Sequence, residues 1–341
     1  MTRAFPIQTM TTPKLLLHIG PHKTGTTFIQ KRLFAHSEQL SASGINYVPD
    51  GINIAYGQHK IVEEFQSSGH SPILENALQK FGEFSLNIIS SENFDRLNAK
   101  QVASLAKMLK SVDTTVVYVM RRSDDLLVSS WQESIKHGAE ATWSEYFFPH
   151  MARPYGSQLF NPSVVLDLYH KNFPGKVKVL NFDTLAADGT DLVTALLQTV
   201  EVSPPFEVKQ ERINASMPIP HVEVLRALNV MWRQHGNGSS NVRVRTAFLG
   251  LVKQGHADIK QLAALVSNTM APQQVAGSFT QQAPFSTFLA KYQSALVGRW
   301  EQQLSPKTYN LPSTAWLLHA EAPPAMERLL RDVQEALKDT P

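Results

Sequence analysis

Residues 14–27 read KLLLHIGPHKTGTT. Leu15, Leu16 and Leu17 open a short apolar run that stops at Gly20, the pattern of a strand buried on both faces. Beyond the loop, Phe28, Ile29 and Leu33 recur at helical spacing within Thr26–His36. The order predicted is therefore strand, tight loop, helix. That order builds an anion site: the N–H groups of a helix's first turn have no intrahelical acceptor, and the macrodipole favours negative charge there. Gly25 lets the backbone approach a ligand closely, Lys23 supplies a mobile cation, and Thr26 and Thr27 add hydroxyl donors. The candidate anion-binding set is His22, Lys23, Thr24, Gly25, Thr26 and Thr27.

The loop is not that of a nucleoside-triphosphatase. There the lysine follows the second glycine of G-x-x-x-x-G-K and a magnesium-binding Ser/Thr comes next. Here Lys23 precedes Gly25 by two residues and no acidic metal partner is apparent, so no metal is expected. His18 and His22 are four apart, but Gly20-Pro21 lies between them, and they do not share a helical face.

Working outward, INYV (45–48), LNIIS (86–90), VVYVM (116–120) and VKVLNF (177–182) read as further strands. Between them lie helical patterns. Asn98 to Gln101 has the form of a capping box, continued by Val102, Leu105 and Leu109. Asp124–Lys136 places Leu127, Trp131 and Ile135 on one side; Asn161-Pro162 opens another helix, and Leu192–Val200 forms one more. Strands alternating with helices predict an α/β fold with a central parallel sheet flanked by helices. From Ile219 the pattern becomes helical. Val224, Leu225, Leu228 and Trp232 make one face; Phe288, Tyr292 and Leu296 a second; Met326, Leu329, Leu330, Val333 and Leu337 a third. Residues 236–241 and 271–284 read as loops. The organisation expected is a flexible tail at 1–13, a core at 14–216, and a helical extension at 217–341 packed on it.

Bulk properties narrow the class. The 341 residues are 43% hydrophobic and 18% charged, which is globular, and there is no cysteine, so disulfides and cysteine-bound zinc are excluded. A net charge of +3 gives no reason to expect nucleic acid. No run of about 18 apolar residues occurs, so no membrane span is expected, and with no signal-peptide pattern the location expected is cytoplasmic. G-x-S-x-G, H-E-x-x-H and G-x-G-x-x-G are absent, which leaves serine hydrolase, zinc protease and dinucleotide-binding readings without a starting motif.

A second anion pocket is written in VVYVMRRSDDLLVSSW (116–131). A buried strand ends on Arg121 and Arg122, whose planar guanidinium forks suit phosphate, and a helix begins at once. Ser129 stands eight residues after Arg121, although Arg122 to Ser130 gives the same count.

Together these motifs resemble the PAPS-dependent sulfotransferases. PHKTGTT is similar to that family's 5′-phosphosulfate loop, P-K-(T/S)-G-(T/S)-(T/S). Arg121, Ser129 and the aromatic Trp131 resemble its 3′-phosphate motif, with Arg121-Arg122-Ser123 in place of Arg-Asp-Pro. The resemblance covers roughly residues 14–216. It implies the P-loop-like sulfotransferase fold, PAPS as co-substrate, and transfer of a sulfuryl group to a hydroxyl or amine, with carbohydrate as the acceptor class. Lys23 would stabilise the leaving oxygen, and Arg121 with Ser129 would bind the 3′-phosphate. The family uses histidine or glutamate as general base. His59, in YGQHKIVEEF, and Glu92, just past LNIIS at the carboxyl end of a strand, both qualify, with His137 behind them. ERINAS (211–216), with Arg212, Asn214 and Ser216, resembles an element that lines the family's nucleotide or acceptor pocket. The alternatives are a nucleotide kinase on a related architecture and a catalytically silent PAPS-binding module.

Overall fold

A computed structural model describes residues 12–207, 216–238, 240, 242–275, 284–300 and 307–338. Arg212 and Asn214 of the ERINAS stretch, most of the N-terminal tail and much of 276–284 lie outside the described residues. The strands are β1 (Lys14–His18), β2 (Ile45–Tyr47), β3 (Leu86–Ser90), β4 (Asp113–Met120), β5 (Val177–Asn181), β6 (Ala271–Gln274), β7 (Leu296–Val297) and β8 (Thr308–Leu311).

The chain divides into two compact units, each drawn from three segments. The first comprises Met1–Arg122, Asn161–Ile213 and Phe285–Gln303. Its sheet has six strands in the order β2-β3-β1-β4-β5-β7, every pair parallel. Leu16 pairs with Ile88 on one side and Thr115 on the other, so β1 is central. One face buries Leu16, Ile88, Val117 and Leu180 beneath Ile29 and Leu33 of helix Thr26–Ala35 and Leu196 and Leu197 of helix Leu192–Gln198. Both faces of β3 are buried, so its sequence shows no apolar–polar alternation with exposure, and its polar residues Asn87 and Ser90 are buried too, hydrogen-bonded to the Lys14 and Phe81 carbonyls and to His18. The chain runs from β1 to β2 and β3 on one side, then crosses to β4 on the other. In open parallel sheets ligands bind beyond the carboxyl ends of the strands at such a reversal, which here are the ends of β1, β3 and β4.

The second unit comprises Ser123–Phe160, Asn214–Pro284 and Leu304–Pro341. Helices Ser123–Lys136, Ile219–Gln234, Val242–Gln254, Ala257–Thr269 and Ala322–Lys338 surround a core that includes Leu127, Trp131, Leu228, Phe248, Leu262, Trp316 and Leu329. A charged pair sits inside it. Glu223 receives Arg226 at 2.7 and 2.8 Å and the Trp316 indole N–H at 3.1 Å. The two side chains are almost fully buried.

Three differences from the sequence reading are informative. The sequence drew one boundary after residue 216, whereas the two compact units interleave along the chain. The stretch 271–284 was expected to be loop, but its first four residues form β6, antiparallel to β8. Leu296 was expected on a helical face. The helix ends at Lys291 and Leu296 enters β7, because two residues suffice to add a parallel edge to β5. The capping box at Asn98 is formed as expected, with both reciprocal bonds. Among the described residues no helix is long and apolar enough to cross a membrane.

Candidate active site

The loop after β1 is held in shape before any ligand is considered. The Thr24 hydroxyl donates to the Pro21 carbonyl at 2.7 Å, closing the turn, and Thr24 is fully buried. Lys23 has φ +68°, a left-handed conformation that costs a residue with a Cβ about 1–3 kcal/mol. Gly25 has φ +80°, a backbone conformation that favours glycine, and a Cβ there would lie 2.4 Å from Leu192 Cδ1, so the Leu192 side chain would have to give way. Gly25 is the N-cap of helix Thr26–Ala35, with no side chain capping the N–H groups and no acidic residue in the first turn. The first intrahelical bond runs from the Ile29 N–H to the Gly25 carbonyl, leaving the Thr26, Thr27 and Phe28 N–H groups directed out of the N-terminus. Lys23 and His22 are partly exposed beside that opening, and Thr27 is exposed.

Arg121, at the end of β4, reaches this loop. Its Nη1 donates to the Lys23 carbonyl at 3.0 Å, and its guanidinium lies over the Phe182 ring, 5.4 Å from the centroid. Its Nε is buried and unpartnered, a donor suited to an anion. The backbone N–H of Arg122 donates to Asp183 at 2.7 Å. Ser129 is carried by helix Ser123–Lys136 in the second unit, where its hydroxyl donates to the Leu126 carbonyl at 3.1 Å. His137 is exposed on the same helix and meets Glu133 at 3.2 Å.

The two candidate bases are neighbours. Expected in a loop, His59 instead opens helix His59–Ser68 and is buried. Glu92 opens a single 3-10 turn, Glu92–Arg96, after β3. Glu92 Oε2 lies 3.9 Å from His59 Nε2, and Oε1 lies 3.7 Å from His22 Nδ1. Gln30 Nε2 donates to Oε2 at 2.7 Å. Burial alone would raise the Glu92 carboxyl. The Gln30 donor, the residue's own backbone N–H, and the neighbouring His59 and His22 rings outweigh it and hold the group below its usual range. Burial lowers His22, against the pull of Glu92. Gly20 has φ +98°, and a Cβ there would lie 2.9 Å from the Glu92 backbone, so the loop and the Glu92 turn touch through this glycine.

A Sulfotransferase domain family model matches residues 13–203, more than half of the chain. The chain belongs to the sulfotransferase family. An uncharacterized protein of Aquifex aeolicus (strain VF5) is 23% identical over 201 residues, covering 54% of this chain and 25% of that protein. The chain thus spans about a quarter of that relative's length. The crystal structure of a sulfotransferase from Alicyclobacillus acidocaldarius is similar at 13% identity and a TM-score of 0.39, over 66% of this chain and 96% of that one. The six-stranded parallel sheet and its helices give this sulfotransferase chain the α/β architecture that the sequence predicted.

Four residues of the site were not singled out from the sulfotransferase sequence. They are Gln30, Ser91, Asn93 and Phe182. Gln30 carried a signal: it is polar on the face that buries Ile29 and Leu33, and it is itself fully buried. Asn93 stands beside Glu92 in SSENF, but nothing in the spacing shows that its amide lies between two histidines. Among the described residues only His256, Asp258 and Asp332 group with metal-ligand spacing, and Arg328 already engages Asp258 at 2.6 Å.

Proposed function

We propose that this protein transfers a sulfuryl group from PAPS to a hydroxyl or amine acceptor, with a carbohydrate hydroxyl as the substrate class. The observation that carries the donor assignment is the hydrogen bond from Arg121 Nη1 to the Lys23 carbonyl, 3.0 Å. It joins two cationic strand ends at the switch point of a parallel sheet, which suits a nucleotide charged at both its 5′ and 3′ positions. The acceptor class rests on the family likeness alone.

In this reading the N–H groups of Thr26 and Thr27 and the Lys23 ammonium hold the 5′-phosphosulfate. Arg121, with its remaining donors, takes the 3′-phosphate. The acceptor oxygen attacks sulfur in line, the bond from sulfur to the 5′-phosphate oxygen breaks, and Lys23 stabilises the charge left on that oxygen. The acceptor's proton goes to the cluster built around Glu92. Titration with the product nucleotide PAP, followed by labelled-donor assays against pooled acceptors, tests the assignment. Lys23→Ala is expected to abolish transfer, and Arg121→Ala chiefly to weaken PAP binding. Near-normal transfer by Lys23→Ala, or magnesium-dependent ATP turnover by the wild type, would reject it.

A further inference from the structure

Asn93 lies between two imidazoles. Its Oδ1 is 3.0 Å from His22 Nε2, and its Nδ2 is 3.2 Å from His59 Nδ1. An amide has one accepting end and one donating end, so it needs one ring to donate and the other to accept. With the amide in this orientation, His22 carries a proton on Nε2 and His59 presents a lone pair at Nδ1. The Ser91 hydroxyl, 2.7 Å from His59 Nδ1, completes this arrangement: it accepts the Asn93 backbone N–H at 3.3 Å and donates to the ring.

The consequence falls on Glu92. With Nδ1 bare, the proton of neutral His59 is on Nε2, the nitrogen that faces Glu92 Oε2. That nitrogen has no lone pair to offer an acceptor. His22 is the reverse: its bare nitrogen is Nδ1, which faces Glu92 Oε1. A second proton suits only one of the rings. On His59 it would enter at Nδ1, against two donors. On His22 it would enter at Nδ1, beside a carboxylate, with the bond to Asn93 intact.

We infer that Asn93 is a positioning residue that fixes both tautomers, makes Glu92 the general base, and gives His22 the role of receiving the proton from it. The inference deepens the proposed sulfuryl transfer and rests on that reading for its catalytic part. The proton passes from the acceptor hydroxyl to a Glu92 oxygen and from there to His22 Nδ1. The carboxylate is restored and the imidazolium carries the charge until solvent removes the proton. The other titratable groups around this cluster are His18, Asp95 and Tyr47, which all feel Glu92, and Arg96, which acts on His22 and Asp95.

The test is long-range proton–nitrogen NMR on the full chain with labelled histidine, the rings assigned through His22→Gln and His59→Gln. Near neutral pH both His22 and His59 should be protonated at Nε2 only. A His59 ring protonated at Nδ1 overturns the inference without reference to any activity. Asn93→Asp removes the donating end, so His59 should switch to an Nδ1 proton while His22 does not change. In the same variant kcat should fall at least about tenfold, part of the ~10²–10⁴ that a general base supplies, with the acid limb of its pH profile displaced. PAP affinity is measured on the same variant, so that any weakening of donor binding by the new carboxylate beside His22 is separated from the fall in kcat. An unchanged His59 tautomer in Asn93→Asp, or a superimposable pH profile, would refute the positioning role. Failure of the wild type to bind PAP would instead count against the sulfuryl-transfer reading and leave the tautomer result to stand or fall alone.

Discussion

Replacing Asp95 by asparagine removes a carboxyl group that the fold has taken out of water. Asp95 is 8% exposed and its Oδ1 is buried without a partner. Burial pushes its carboxyl up to about 7 from 3.8; Arg96 opposes this and Glu92 adds to it. The folded protein therefore binds this proton more tightly than the unfolded chain does. Stability is highest below the unfolded value and is lost as pH rises, by about 1.4 kcal/mol per pH unit and about 4 kcal/mol in all between pH 3.8 and 7. His18 works the other way: burial lowers it from 6.5 to about 4, so its contribution is lost as pH falls through that window. Between about pH 4 and 6.5 the Asp95 and His18 slopes oppose one another. In Asp95→Asn the His18 slope remains, together with those of His22, His150 and His221, which burial lowers in the same direction. Urea unfolding of both proteins at pH 5 and pH 8 measures the difference. The variant should gain on the wild type by about 3 kcal/mol between those two conditions, whatever constant offset the new amide introduces. If the gap between the proteins is the same at both pH values, Asp95 is ionised in the folded state at pH 5 and the argument from burial fails.

Three further outcomes are expected. Gly25→Ala should destabilise the protein by about 2–5 kcal/mol in urea unfolding, from the left-handed backbone and the collision with Leu192 combined. Gln30→Ala withdraws the side-chain donor on Glu92, so the carboxyl should rise and the acid limb of the transfer rate should move up by roughly one pH unit. Glu223→Ala strands a buried guanidinium and should cost about 3–5 kcal/mol by calorimetry or urea, whereas Glu223→Leu combined with Arg226→Met should recover most of the loss.

The parallel-sheet half of this molecule is legible because it is locally encoded. β1, β3, β4 and β5 each carry a short apolar, largely β-branched or leucine stretch, and the caps at Asn98 and Pro162 mark the helices between them. β7 is two residues long and carries no periodicity, so Leu296 matches a helical pattern equally well. The anion loop is legible for the same reason, since seven consecutive residues make it. The cluster at Glu92 is not: Gln30, His59 and Asn93 meet only because the sheet brings the ends of β1 and β3 side by side. His59 and Glu92 looked like rivals for one role because the sequence gives each a position but no distance between them.

The interleaving of the two units bears on synthesis. The first unit takes its sixth strand from Leu296–Val297, and the second begins at Ser123 yet needs Ala322–Lys338 for its core. Neither can close until the ribosome has delivered almost the whole chain. A fragment ending at residue 216 would leave the β5 edge bare, a row of unpaired N–H and C=O groups open to another molecule of the same fragment. Such a piece should aggregate on expression despite carrying every residue of the anion loop.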